Sequence, residues 1–260
     1  MAQLLNQAEL DVDEVLAGGE VSRAIALRES TGLPFQTRQF PMYVTGDFAA
    51  PLVLVHLNPK FSKQMDNPGF RNFAEYVDGH RRFGHLHWEM DPKFKGQFDQ
   101  KQVRFLKPFD VIDFLDESDP LHKRTNPARV IDHKLQLELV PYASPDFPTH
   151  RFSLEDLRPH FERVLGVIAA FPREYVLFCG AVFDELLDRR DLHINRDPYQ
   201  FHLPIKSGDM SKGVYHYSNV SIPYEGSTIH AGVARSFATM GLPMHAYGVR
   251  CHELYPKDCR

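Results

Sequence analysis

The chain has little cysteine, with three in 260 residues, and a single tryptophan. Cys179, Cys251 and Cys259 are odd in number and stand at no metal-ligand spacing, which argues against a disulfide framework and against a thiolate zinc site. No apolar run approaches the ~18 residues of a membrane span, so no membrane partner is expected. The opening MAQLLNQAELDVDEVLAGG is acidic and lacks the basic and apolar regions of a secretory signal, so the expected address is cytoplasmic. Positive charge is also short. Lys and Arg number 30 against 34 Asp and Glu, a formal net charge of -4, which disfavours a protein that relies on nonspecific phosphate neutralisation. A glycine-rich phosphate loop and a Gly-x-Ser-x-Gly elbow are both absent.

What remains is an ordinary globular composition, 43% hydrophobic and 25% charged. Residues 8–30 read as two helices separated by Gly18-Gly19, and Arg38–Val44 as a strand or an extended arm. Leu52–Val55 is an apolar run that reads as a fully buried strand. Residues 67–107 are rich in Gly, His, Phe and charge without clear period. Long loops are expected there, with a short helix over Phe70–Val77. Lys134–Tyr142 alternates Leu135, Leu137 and Leu139 with Gln136 and Glu138, a period-two strand. Ser153 opens the clearest helix with a Ser-x-x-Asp start, and Pro172 closes it. Glu174–Cys179 reads as another buried strand, followed by Gly180 and a helix over Ala181–Leu187. A hairpin is expected from Tyr199–Ile205 and Val214–Ser221, then a loop at 222–227 and a helix over Ala231–Met240.

Strands alternating with helices predict an α/β fold, a three-layer αβα sandwich around a mostly parallel four-stranded sheet. The expected organisation is one domain over 1–260, with residues 1–48 as a helical extension packed on it. Four segments end in unusual chemistry: Asn58-Pro59, Glu138 with Pro141-Tyr142, Cys179-Gly180, and Pro223-Tyr224-Glu225. In a parallel sheet such ends meet at one edge, where α/β proteins bind ligands.

The order of these features resembles the uracil-DNA glycosylase superfamily. His56-Leu57-Asn58-Pro59-Lys60 stands where the mismatch-specific branch has Gly-Ile-Asn-Pro-Gly, and the topology matches over about residues 50–250. The resemblance implies a parallel four-stranded core between helices and hydrolysis of the N-glycosidic bond of a flipped DNA base. Asn58 would hold the attacking water, with His230 as a nearby donor. His56, Leu57, Pro59, Tyr142 and Gly180 would border the base pocket. Phe61 and Phe70, with Phe73, are candidates for the stacking platform. Glu138 falls where the superfamily often carries the Asn that reads the base edge. Lys60, Pro223, Tyr224, Ser227, Thr228 and Arg235 would contact the nucleic-acid backbone. The family's His-Pro-Ser motif is reduced here to Pro223, with no His before it.

The residues leave other readings open. Asn-Pro is also a common turn after a strand, and Glu138 also fits the solvent side of an alternating strand. The partner is single- or double-stranded DNA, or else a nucleoside or nucleotide. The alternatives are a domain that binds such ligands without cleaving them and a nucleoside or nucleotide hydrolase. No cofactor is expected. His80, His85 and His87 invite a metal, but no Cys or acidic residue stands at a matching distance, and the expected metal set is empty. Two basic clusters, Lys93 to Lys107 and Lys123 to Lys134, read either as a phosphate-binding face or as mixed-charge surface.

Overall fold

The strand expected over Leu52–Val55 runs on to His56 and is buried at every position. The computed structural model describes residues 1–60, 69–91, 93–116, 118–119, 122–188, 195–204, 208–238 and 241–256. In chain order its first elements are α1 (Ala2–Leu16), α2 (Ser22–Thr31), β1 (Val44–Gly46), β2 (Leu52–His56), α3 (Phe73–Arg81), a π-helical turn (His85–Glu89) and α4 (Gln97–Leu106). Then come α5 (His122–His133), β3 (Leu135–Glu138), α6 (Leu154–Ile168), β4 (Tyr175–Cys179) and α7 (Val182–Asp188). The chain continues with β5 (Asn195–Phe201), β6 (Tyr215–Tyr224), β7 (Ser227–Ala234) and α8 (Met244–Leu254).

The architecture is α/β, but the sheet is mixed and seven-stranded, in the order β1-β3-β2-β4-β7-β6-β5. This corrects the expectation of a mostly parallel four-stranded sheet. Parallel pairing is confined to β3, β2, β4 and β7, while β1, β6 and β5 each pair antiparallel with the strand beside them. Apolar side chains cover both faces. Val53, Val55, Leu137 and Phe178 pack on one side with residues of α1, α2, α6 and α7. Leu52, Leu54 and Leu177 pack on the other with residues of α4, α5 and α8. Leu4, Ala8, Val12 and Ala24 from the N-terminal helices lie in the first of these cores. The segment before residue 48 also supplies β1, the edge strand beside β3.

Three local expectations are overturned. In place of the loop at 222–227 and of the start of the helix expected over Ala231–Met240, whose last two residues lie outside the described ones, there is a hairpin, β6 and β7, closed by Glu225 and Gly226 at φ of 45° and 81°. Two consecutive positive-φ residues make the primed turn that matches strand twist. Pro223 is tolerated because it lies past Ser221, the last β6 residue described as paired with β5. Second, residues 69–106 are largely helical rather than looped. Asn72 caps α3 by accepting from Glu75 N at 2.9 Å, but the later turns depend on distant partners. Asp132 accepts from Gly84 N and His85 N, and Arg124 Nε donates to Trp88 O at 2.7 Å. Third, no helix was expected where α5 forms, and Pro127 lies inside it.

The helix at Ser153 does form, with both halves of its capping box present. Gly46 ends β1 at φ 87°, and a Cβ there would lie 1.9 Å from Lys134 O.

Candidate active site

Beyond their carboxyl ends, β2 and β3 leave the sheet side by side. Leu139 N donates to His56 O at 2.8 Å, Val140 N to Leu57 O at 2.9 Å and Ser144 N to Pro59 O at 3.2 Å. The two exits form one wall of a cavity of about 500 Å³. Its polar lining includes His56, Asn58, Asp99, Gln136, Glu138 and Ser144, and its aromatic walls are Phe83, Phe98 and Phe147. That volume lies within the usual range for a small-molecule site.

Asn58 is held by its amide nitrogen. Nδ2 donates to Ser144 Oγ at 2.8 Å, to Pro59 O at 3.1 Å and to Tyr142 O at 3.4 Å. Carbonyl oxygens only accept, so they fix the amide orientation. Oδ1 is left as an acceptor with no partner among the described residues.

Beneath it runs a buried polar stripe. Lys134, Gln136 and Glu138 alternate along β3 on one face, and all three are buried. Lys134 Nζ donates to Gln136 Oε1 at 2.8 Å, and Gln102 Nε2 donates to the same oxygen at 3.0 Å. Gln136 Nε2 donates to Glu138 Oε1 at 2.7 Å. Glu138 Oε2 is buried and has no partner among the described residues. Burial pushes the Glu138 carboxyl up to about 8, against the pull of the Gln136 hydrogen bond and the Lys134 charge. Burial likewise pushes Lys134 down to about 8. His56 pairs in register with Glu138 across the β2–β3 ladder. Its ring lies edge-on to Phe98 and Phe237 with centroids at 5.0 and 5.2 Å. Burial and then the Lys134 charge push this imidazole down to about 3, so it is neutral, and its Nε2 is buried with no partner among the described residues.

Of the residues singled out in the sequence, the fold brings His56, Leu57, Asn58, Pro59, Lys60 and Glu138 around this one cavity. Glu138 is 4% exposed, which overturns its reading as a solvent-side residue. Phe61 lies outside the described residues. Phe70 packs against Phe40, Tyr76 and His80, and Phe73 stacks on Tyr76, away from the lining. Tyr142 turns its hydroxyl to Asp11 and meets the site only through its carbonyl. Gly180 donates its N–H to Ala234 O, and a Cβ there would come within 3.1 Å of Leu57.

The fourth expected strand end is displaced to the other edge of the sheet. Because Cys179 pairs with Ala234 in a parallel ladder, the β6–β7 turn lies at the amino-terminal edge. Pro223, Tyr224, Ser227 and Thr228 sit at or next to that turn. His230 shares a 3.1 Å hydrogen bond with Ser221 Oγ. The segment that does follow a parallel strand into the site is Arg235–Ala238, of which Ser236 and Ala238 line the cavity. Arg235 stacks on Tyr215, with 5.6 Å from guanidinium to ring centroid.

Phe83, Phe98, Asp99, Gln136, Ser144, Phe147 and Ser236 were not anticipated. One signal was available for Gln136. A period-two polar stripe on a strand with buried neighbours on both sides must point into the protein. The two basic clusters do not form a continuous face, since Lys101 is bonded to Phe237 O, Arg124 to Trp88 O, and Lys134 is buried. Among the described residues, no three His, Cys, Asp or Glu side chains are grouped to hold a metal ion, and no helix is long and apolar enough to cross a membrane. No protein-family model matches the chain, and no curated protein or solved structure matches it significantly.

Proposed function

We propose that this protein hydrolyses the N-glycosidic bond of a nucleobase flipped out of DNA, in a divergent uracil-DNA-glycosylase-like site. The observation that carries the reading is Asn58, a cavity-lining residue locked by its nitrogen to Ser144 and two main-chain carbonyls, with its oxygen unpartnered among the described residues. The four parallel strands β3-β2-β4-β7, with helices on both faces, also support it.

The chemistry needs little base strength. As the C1′–N bond breaks, its electron pair leaves with the base and positive charge builds on the sugar. A water whose proton is accepted in a hydrogen bond by Asn58 Oδ1 supplies the oxygen that bonds to C1′. The departing base then takes up a proton. The uncharged cavity floor offers His56 and Glu138 to the base edge, and Phe83, Phe98 and Phe147 offer surfaces on which a flipped base can stack. Lys60, and Arg235 at the same edge, are the cations placed to meet phosphate. Residues 223–228 have no part, since they lie at the opposite edge.

Labelled single- and double-stranded oligonucleotides carrying uracil or a mismatch, incubated and then treated with alkali, report abasic sites. Wild type is expected to cleave. Asn58→Ala is expected to be about 100-fold slower, about 2.7 kcal/mol of barrier, with its melting temperature little changed. Equal rates in the two proteins would sink the assignment.

A second reading, hydrolysis of the same bond in a free nucleoside or nucleotide, is favoured by the charge of the lining. Among the described lining residues Lys60 is the one Lys or Arg, and Asp99 and Asp146 are also present. Release of free base from nucleosides, with oligonucleotides left intact, would select it.

A further inference from the structure

We propose that Lys134 and Gln136 fix Glu138 as a hydrogen-bond donor toward the cavity, so that the site takes its base by a carbonyl oxygen rather than by an amino group. This deepens the base-excision reading and rests on it only for the kind of ligand.

The argument is one of direction. A glutamine amide can be turned end for end, and so can its neighbour's, but an ammonium group can only donate. Lys134 is fully buried and spends a proton on Gln136 Oε1 at 2.8 Å. Gln136 must therefore present its nitrogen at the far end, and that nitrogen donates to Glu138 Oε1 at 2.7 Å. With Oε1 committed as acceptor, a proton on this carboxyl resides on Oε2. That atom is the buried one with no partner among the described residues, on a side chain that lines the cavity. His56 Nε2, on the neighbouring strand in register, is the second such atom. A ligand edge that satisfies both removes the cost of leaving two buried polar groups unpaired.

The surroundings favour the protonated acid at neutral pH. From β2, His56 is neutral. From α4, Asp99 is pushed up by burial while accepting from Trp88 Nε1. From β4, burial pushes the Cys179 thiol up and keeps it uncharged. From α5, Asp132 is occupied by the Gly84 and His85 amides and is likewise pushed up by burial. Lys134 is the one neighbouring cation that opposes protonation, and burial weakens its own charge as pH rises. Glu138, with its carboxyl raised to about 8, donates below that pH and becomes an acceptor above it.

Binding of free bases tests this without any cleavage. Uracil against cytosine and hypoxanthine against adenine are matched in shape and differ in carbonyl against amino group. Calorimetry at pH 6.5 is expected to give at least a tenfold preference for the carbonyl partner. That affinity should fall about tenfold per pH unit above pH 8. Glu138→Gln keeps an acceptor toward Gln136 and places an NH₂ group where Oε2–H was. It is expected to keep the preference and lose the pH dependence, which also provides the reference for ionisation of the bases themselves. Lys134→Met frees both amides to turn and should reduce the preference to about threefold or less. Preference for amino bases, binding of none of the four, or loss of preference in Glu138→Gln would each overturn the proposal. Carbonyl-selective binding without bond cleavage would leave it standing and remove the hydrolytic function instead.

Discussion

Gly46→Ala is expected to cost about 4 kcal/mol or more and to leave little folded protein. A left-handed backbone costs an L-residue about 1–2 kcal/mol by itself, and Gly46 has φ 87°. The added methyl would also sit 1.9 Å from Lys134 O and 2.7 Å from Ile131 O. The Lys134 carbonyl is not free to withdraw easily. Lys134 O accepts from Asp47 N at 3.0 Å, and Gly46 pairs with Leu135 in the β1–β3 ladder. The chain would have to open β1 from β3, which would also move Lys134 at the head of the buried stripe. Denaturant unfolding measures the loss directly. A cost below about 2 kcal/mol would mean that β1 is less tightly held than its geometry implies.

Asp11→Ala should cost about 3 kcal/mol and lower the melting temperature by roughly 6–12 °C. The Asp11 carboxylate is fully buried, pairs with Arg23, and accepts from Tyr43 Oη at 2.6 Å and Tyr142 Oη at 2.9 Å. Arg23 is 42% exposed and can return to water, so its share is small. The two tyrosines are buried, and burial pushes both hydroxyls up, so they remain donors at every ordinary pH. Without Asp11 they would lack their carboxylate acceptor. Asp11→Asn retains one acceptor oxygen and should lose less than half as much. The effect should reach the site, because the Tyr142 carbonyl is one of the groups that hold Asn58. A thermal shift smaller than about 3 °C would show that α1 is not anchored through this carboxylate.

Much of the central sheet was legible because its strands are apolar runs or strict alternations. Leu52–His56, Leu135–Glu138 and Tyr175–Cys179 announce themselves by content, and α6 by its capping box. What escaped was structure set by distant partners. α5 tolerates Pro127 while Asn126 bonds both backbone groups of Leu115. β7 looked helical because alanine and glycine dominate its second half. In fact Gly232 is small because the Tyr217 hydroxyl lies where a Cβ would be, 2.3 Å from it. Misreading β7 also moved the fourth strand end to the wrong edge of the sheet, and His230 and the 223–228 turn with it. Asn58 and Glu138, singled out as strand ends and by the family resemblance, both line the cavity. The aromatic walls Phe83, Phe98 and Phe147 were not anticipated, since each comes from a helix or loop whose placement only tertiary contacts determine.

The β4–β7 ladder begins only at Leu177 and Gly232. One step earlier, the hydroxyl of Tyr255, just past α8, accepts from Val176 N at 3.0 Å and donates to His230 O at 2.9 Å. A side chain from beyond the sheet thus completes a rung between β4 and β7. During synthesis, β2, β3 and β4 can associate as soon as they emerge, but the seam between β4 and β7 stays incomplete until residue 255 has left the ribosome. Completion of the seam between β4 and β7 is therefore expected to be a late step in the folding of this chain.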